Sequence, residues 1–192
     1  MLIQKIRARH DLLQALVDLC DFDLSRPVHD YIYFRLDSGR AFTPIAGEGA
    51  GGVFCLLDAP DPHESGAFFV SSEGQGGFIA KGITETLSLL VTLPYWFDCL
   101  KFSRSGQLAE MDRAVPLLEA ELHNRHPHAN AQRKFLCQEL GIQLLPAPLV
   151  PMHHAVCSGE AIVNLDDGWR LESLFNSFSV DDNPLWAEAS ER

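Results

Sequence analysis

Apolar residues change their period more than once along this chain, and each change predicts a different kind of element. Leu13, Leu16, Val17 and Cys20 recur at helical spacing with charged residues between them, which predicts a helix from about Ile6 to Cys20 with one stripe facing a core. The run Tyr31 to Leu36 is aromatic and β-branched and ends in Asp37-Ser38-Gly39, so it reads as a strand and its turn. Further apolar runs follow at Phe42 to Ala46, Val53 to Leu57, Ala67 to Ser71 and Phe78 to Ala80, separated by glycine- or proline-rich breaks at Gly47 to Gly52, Ala59 to Gly66 and Glu73 to Gly77. Short strands joined this closely predict a mainly antiparallel sheet, because parallel neighbours need a crossover of about a dozen residues or more.

From Ile83 to Leu93 the pattern becomes a nearly continuous apolar helix, with Thr84 available as a cap and Pro94 ending or kinking it, and a short helix is expected from Tyr95 to Phe102. Leu108, Met111, Val115, Leu118 and Leu122 fall on one helical stripe, with Pro116 either kinking that helix or starting a second. A helix from about Asn130 to Leu140 meets Gly141 in the stopping position. Beyond Pro146, Pro148 and Pro151 a strand is expected at Ala161 to Leu165, then an Asp166-Asp167-Gly168 turn. Helical spacing returns at Leu171, Leu174, Phe175 and Phe178, and the polar tail from Asp181 to Arg192 is expected to be loosely held. These elements divide into an α+β core over 1–104 and a helical or mixed extension over 105–192 that packs on it.

Charge narrows the partners. The formal net charge of -11 and the lack of a Lys/Arg stripe argue against binding a phosphate backbone and favour a basic protein partner. No apolar run reaches the length of a membrane span, and Asp11 and Asp18 interrupt the place where a signal peptide needs its apolar stretch, so a soluble cytoplasmic protein is expected. The five scattered cysteines, Cys20, Cys55, Cys99, Cys137 and Cys157, read as buried thiols.

Candidate chemistry is sparse. Gly47 to Gly52 lacks the Gly-Lys-Ser/Thr ending of a P-loop and precedes a strand rather than a helix, so it reads as a strand connection with at least one residue at positive φ. His123, His126, His128, His153, His154 and Cys157 are residue types that ligate zinc, but His126-Pro127-His128 breaks the helix that would align them, and the adjacent His153 and His154 point apart. Cys157 with a histidine base would further need a third, orienting group. Asp166-Asp167 and Asp181-Asp182 read as turn and tail charges, and Tyr95, Trp96 and Phe97 as core.

Phe42 to Ala46, the glycine cluster and Val53 to Leu57 resemble the polar-glycine loop and apolar strand of the SUKH superfamily, the bacterial toxin-immunity proteins related to fungal cell-wall assembly regulators. Ala67 to Gln75 is similar to that family's second strand and acidic turn, and Phe78 to Gly82 leads into Ile83 to Leu93 as its next strand leads into a helix behind the sheet. The resemblance covers Phe42 to Phe102. It implies a small α+β fold with a bent, mainly antiparallel sheet backed by helices, no catalytic apparatus, no cofactor or metal, and a cytoplasmic role in binding and neutralising a toxin, often a nuclease. The best candidates for the binding surface are acidic residues in or beside the breaks, Glu48, Asp58, Asp61, Glu64 and Glu73, where side chains reach solvent and the strands fix the loops. The rival reading is a metal-dependent or Cys/His hydrolase, which requires the histidines between 123 and 154 to converge in a pocket.

Overall fold

The apolar runs of the first half form strands where their spacing predicts, in a computed structural model that describes residues 2–26, 33–59 and 65–186. Helices α1 (Leu2–Arg7) and α2 (His10–Cys20) precede β1 (Phe34–Leu36), β2 (Phe42–Gly47), β3 (Val53–Leu57), β4 (Gly66–Val70) and β5 (Gly76–Lys81). Then come α3 (Gly82–Thr92), α4 (Trp96–Lys101), α5 (Leu108–Arg125), α6 (Ala129–Leu140) and α7 (Leu149–Ser158), followed by β6 (Ile162–Asn164) and a 3-10 turn at Val180–Asp182. Tyr31 and Ile32, the start of the expected first strand, lie outside the described residues.

The fold is α+β, with antiparallel strands backed by helices, but the bend implied for the sheet is not found. Strands β2, β3, β4 and β5 form a four-stranded meander, and β1 pairs instead with β6 in a separate two-stranded sheet, Phe34 opposite Asn164 and Leu36 opposite Ile162. Alternation along the strands supplies the reason. Phe54, Phe69 and Ile79 point into the helical core, whereas Val53, Cys55, Leu57, Phe68 and Val70 point the other way and meet Phe34, Leu36 and Ile162. Each face of the meander thus has its own cover, and burial demands no curvature of it. The edge strand β2 is met by Asp23 at Gly47 and carries Pro44, which has no N–H to offer, and a bulge between Pro44 and Ala46, features that discourage pairing with another chain.

Leu87, Leu90 and Val91 on α3 share one core with Phe54 and Phe69, and Leu56 packs at its margin, as the pattern predicts. Thr84 is not the cap: the helix starts at Gly82, whose φ is +75°, and follows Lys81 without a side-chain cap. Its other end is closed from a distance. The buried Arg133 of α6 donates from Nε to the carbonyl of Val91 and from Nη2 to that of Thr92, both at 3.2 Å, and so meets carbonyls that a helix C-terminus leaves open. Glu119 on α5 accepts two bonds from the same guanidinium, which holds its carboxyl below the usual carboxylate range.

Pro116 lies inside a single helix, α5. Met111, Ala114, Leu118, Leu136 and Leu149 join Leu12, Leu16 and Leu90 in one cluster, so residues on both sides of position 104 build the same core. Gly141 ends α6 at φ +67°, as expected.

Two C-terminal expectations are corrected. The residues Leu171 to Phe178 are not helical, because their backbone bonds are made elsewhere: Asn176 N–H donates to Leu100, and the carbonyls of Asn176 and Phe178 accept from Ser105 and Arg104. Ser173 and Asn176 side chains also bond to local N–H groups, competing with a helix. The tail is not loose up to Trp186, whose ring centroid lies 4.5 Å from that of Phe102, while Asp181 pairs with Arg113 at 2.7 Å.

Candidate interaction surface

In an antiparallel meander, alternate connections fall at the same end, so the β2–β3 turn (48–52) and the β4–β5 turn (71–75) are neighbours. They touch: a Cβ built on Gly51 would lie 3.5 Å from Cβ of Ser72. Glu48 and Glu73 therefore share one end of the sheet, and Asp58, just after β3, sits at the opposite end. Asp61 and Glu64 lie outside the described residues.

The three described candidates differ in what holds them. Glu48 is half-buried and closes its own turn, accepting the Gly52 N–H at 3.1 Å. Burial pushes its carboxyl above the usual range, the Gly52 N–H opposes the rise, and the charge of Asp21 adds to it. Glu73 is exposed on a turn pinned by Ser71, whose hydroxyl accepts from the N–H groups of Glu73 and Gln75. Asp58 is exposed and accepts the Thr43 hydroxyl at 2.8 Å. The glycine turn makes no cradle for a phosphate, since Gly49, Gly51 and Gly52 donate their N–H groups to oxygens of Asp21 and Glu48. It has the expected positive φ, at Gly51.

Further acidic groups reach this end by routes the sequence did not signal. Asp21 is the left-handed residue that ends α2, and the backbone exchange between Asp23 and Gly47 lays it beside the glycine turn, where its carboxylate accepts the Gly49 N–H at 2.8 Å. Glu172 exchanges backbone bonds with Gly74 and Gly76, next to Glu73. The turn 165–169 after β6 comes to the same end, because Leu165 N–H donates to Tyr33 and the Tyr33 hydroxyl to the Ser71 carbonyl at 3.3 Å. Asp166 and Asp167 stand exposed on it. Among the described residues Arg26, 3.8 Å from Asp23, is a cation in the same neighbourhood.

The histidines do not gather. His123 is tied into the Arg133 network: its Nδ1 donates to the Glu119 carbonyl and its Nε2 accepts from Asn130, which itself accepts from Arg133. On α7, His153 and His154 do point apart. His153 Nε2 donates to the Gly106 carbonyl at 2.7 Å, and Cys157 Sγ lies 3.8 Å from Nδ1 and 4.0 Å from Nε2, in line with neither, while His154 lines a separate cleft. The Gly106 carbonyl fixes the His153 ring, but the ring does not point a nitrogen at the sulfur as a nucleophile–base pair requires. Neither His153 nor Cys157 lines that cleft. Among the described residues no group of three or more His, Cys, Asp or Glu side chains is placed to hold a metal ion. The buried-thiol expectation holds for Cys20, Cys55 and Cys99, with burial pushing Cys20 up to about 12, but Cys137 is half-buried and Cys157 exposed.

The cleft lies near the other end of the meander, between β5 and α7, with a volume of about 730 Å³. Phe78, Ala80, Val150 and Pro151 give it an apolar floor, and Arg40, Lys81, Glu85 and Glu160 bring both signs of charge to its rim. Gly66 and Gly159 make room for the Phe78 ring, since a Cβ on either would come within 2.8 Å or 2.5 Å of it. Trp96 is core, packed on Phe54 and Phe69, with Tyr95 and Phe97 half-buried beside it. No helix among the described residues is long and apolar enough to cross a membrane.

The chain matches no family model, no curated protein and no solved structure.

Proposed function

We propose that the chain is a non-catalytic protein-binding module, an immunity protein that neutralises a bacterial toxin in the cytoplasm by covering a basic surface, such as the one a nuclease presents to phosphate. The observation that carries this reading is the meeting of Glu48, Glu73, Asp21 and Glu172 at one end of the sheet, on turns fixed by their own hydrogen bonds. Carboxylates carried on turns held in this way attract cationic side chains and steer association. The net charge of -11 acts in the same direction, and the SUKH resemblance supplies the class of partner.

The test is inhibition. Purified chain is titrated into bacterial toxin nuclease domains, and the reading expects one of them to lose activity at one equivalent, with weaker inhibition at high salt. Failure of excess chain to inhibit any of them, together with unchanged survival of cells expressing the toxins, would overturn it.

A further inference from the structure

Three tryptophans occur in the chain, and the fold treats them in two ways. Trp96 and Trp186 are 4% and 5% exposed, whereas Trp169 is 75% exposed and its neighbour Leu165 is 54% exposed. The turn that carries them is braced by hydrogen bonds. Asp167 accepts the Trp169 N–H at 3.0 Å, Asn164 N–H donates to the Trp169 carbonyl at 2.8 Å, and the Asn164 side chain accepts the Asp166 N–H at 2.8 Å. An exposed indole on a braced turn, with carboxylates on the same turn and Glu73 and Glu172 nearby, has the composition of an interface anchor: a large apolar face on a side chain with only two rotatable bonds.

We infer that Trp169, with Leu165 beside it, is the apolar anchor of the acidic surface, and that its partner is a basic protein surface whose arginine or lysine stacks on the indole while its neighbours meet Asp166, Asp167 and Glu73. This rests on the protein-binding reading and names the contact within it. Charge complementarity selects the occupant. A second copy of the chain would bring Asp166 and Asp167 against the same carboxylates, whereas a cationic side chain gains both from the carboxylates and from the ring face. Arg170 does not compensate the turn, because its guanidinium is paired with Asp37 at 3.0 Å.

A fluorescently labelled octa-arginine peptide is the probe, titrated at low ionic strength into the wild-type chain, Trp169→Ala, Trp169→Phe and the Glu73→Lys/Glu172→Lys double variant, with thermal melts confirming each fold. Total tryptophan emission is followed in parallel and the Trp169 contribution taken as the difference between wild type and Trp169→Ala, since Trp96 and Trp186 are buried out of the peptide's reach. The expected result is saturable binding with a change in Trp169 emission, weakened about five- to tenfold by Trp169→Ala, less by Trp169→Phe, and also weakened by the double variant. Binding that weakens in the double variant but not in Trp169→Ala, with unchanged emission, overturns the anchor and leaves the acidic surface standing. Binding that neither change affects, or no binding at all, overturns both. A concentration-dependent dimer abolished by Trp169→Ala makes the occupant a second copy and overturns the choice of partner.

Discussion

The two ends of the four-stranded meander rest on the same core yet present opposite kinds of surface. At one end the turns around Glu48 and Glu73 project outward, joined by Asp21, Glu172 and the turn bearing Asp166 and Asp167. At the other, Asp58 lies at the end where the chain recedes into the 730 Å³ cleft rimmed by Arg40, Lys81, Glu85 and Glu160. An outward-facing, predominantly acidic surface suits a flat, charged macromolecular partner, and a concave one of mixed sign suits a small amphipathic ligand. The difference lies in what borders each end: tight turns of a few residues at the first, and at the second the cleft between β5 and α7, where Gly66 and Gly159 make room for the Phe78 ring.

The largest change available strikes both ends alike. Leu90 is fully buried between the sheet and the helices, so Leu90→Ala is expected to cost about 2–5 kcal/mol in chemical denaturation. If it instead loosened one end and spared the other in hydrogen exchange, the shared core would be wrong. Gly52→Val separates the ends. A Cβ there would sit 2.3 Å from the Phe69 ring, and overpacking of this kind costs about 1–3 kcal/mol. Faster amide exchange is expected in 48–52 and 69–72 but not in 149–159, and Gly66→Val, which crowds Phe78, should give the reverse.

The smallest effect concerns Glu48. Its carboxyl is held above the usual range, so the folded state disfavours the ionised form and stability falls as pH rises through that raised value. Glu48→Gln keeps an oxygen for the Gly52 N–H and removes the charge beside Asp21. At pH 7 it is expected to raise the melting temperature by about 1–2 °C, and below the ordinary carboxylate range, where wild-type Glu48 is protonated folded and unfolded alike, the gain should vanish. A gain independent of pH would assign the effect to packing instead.

What the sequence revealed follows the range of the interactions involved. Strands β2 to β5 were legible because glycine and proline breaks act locally, and α3 and α6 because their apolar spacing and Gly141 are local too. The pairing of β1 with β6 was not, since nothing near Phe34 announces Asn164 as its partner. Leu171 to Phe178 kept helical spacing in sequence but lost the helix to bonds with Leu100, Arg104 and Ser105. The candidate surface divides in the same way. Glu48 and Glu73 could be read from the turns that hold them, but Asp21 and Glu172 arrive through backbone exchange with Gly47 and Gly74, which has no sequence signature.

The measurement that bears most directly on the proposed acidic binding surface is the association rate with a toxin domain selected by the inhibition titration, compared between Glu73→Lys/Glu172→Lys and Asp58→Lys at low and high ionic strength. All three side chains are exposed, so the fold should survive each change. The double variant is expected to associate about tenfold more slowly at low salt, with the deficit shrinking as salt screens it, while Asp58→Lys stays near wild type. A slower Asp58→Lys with an unaffected double variant would contradict the account and move the interface to the opposite end of the sheet.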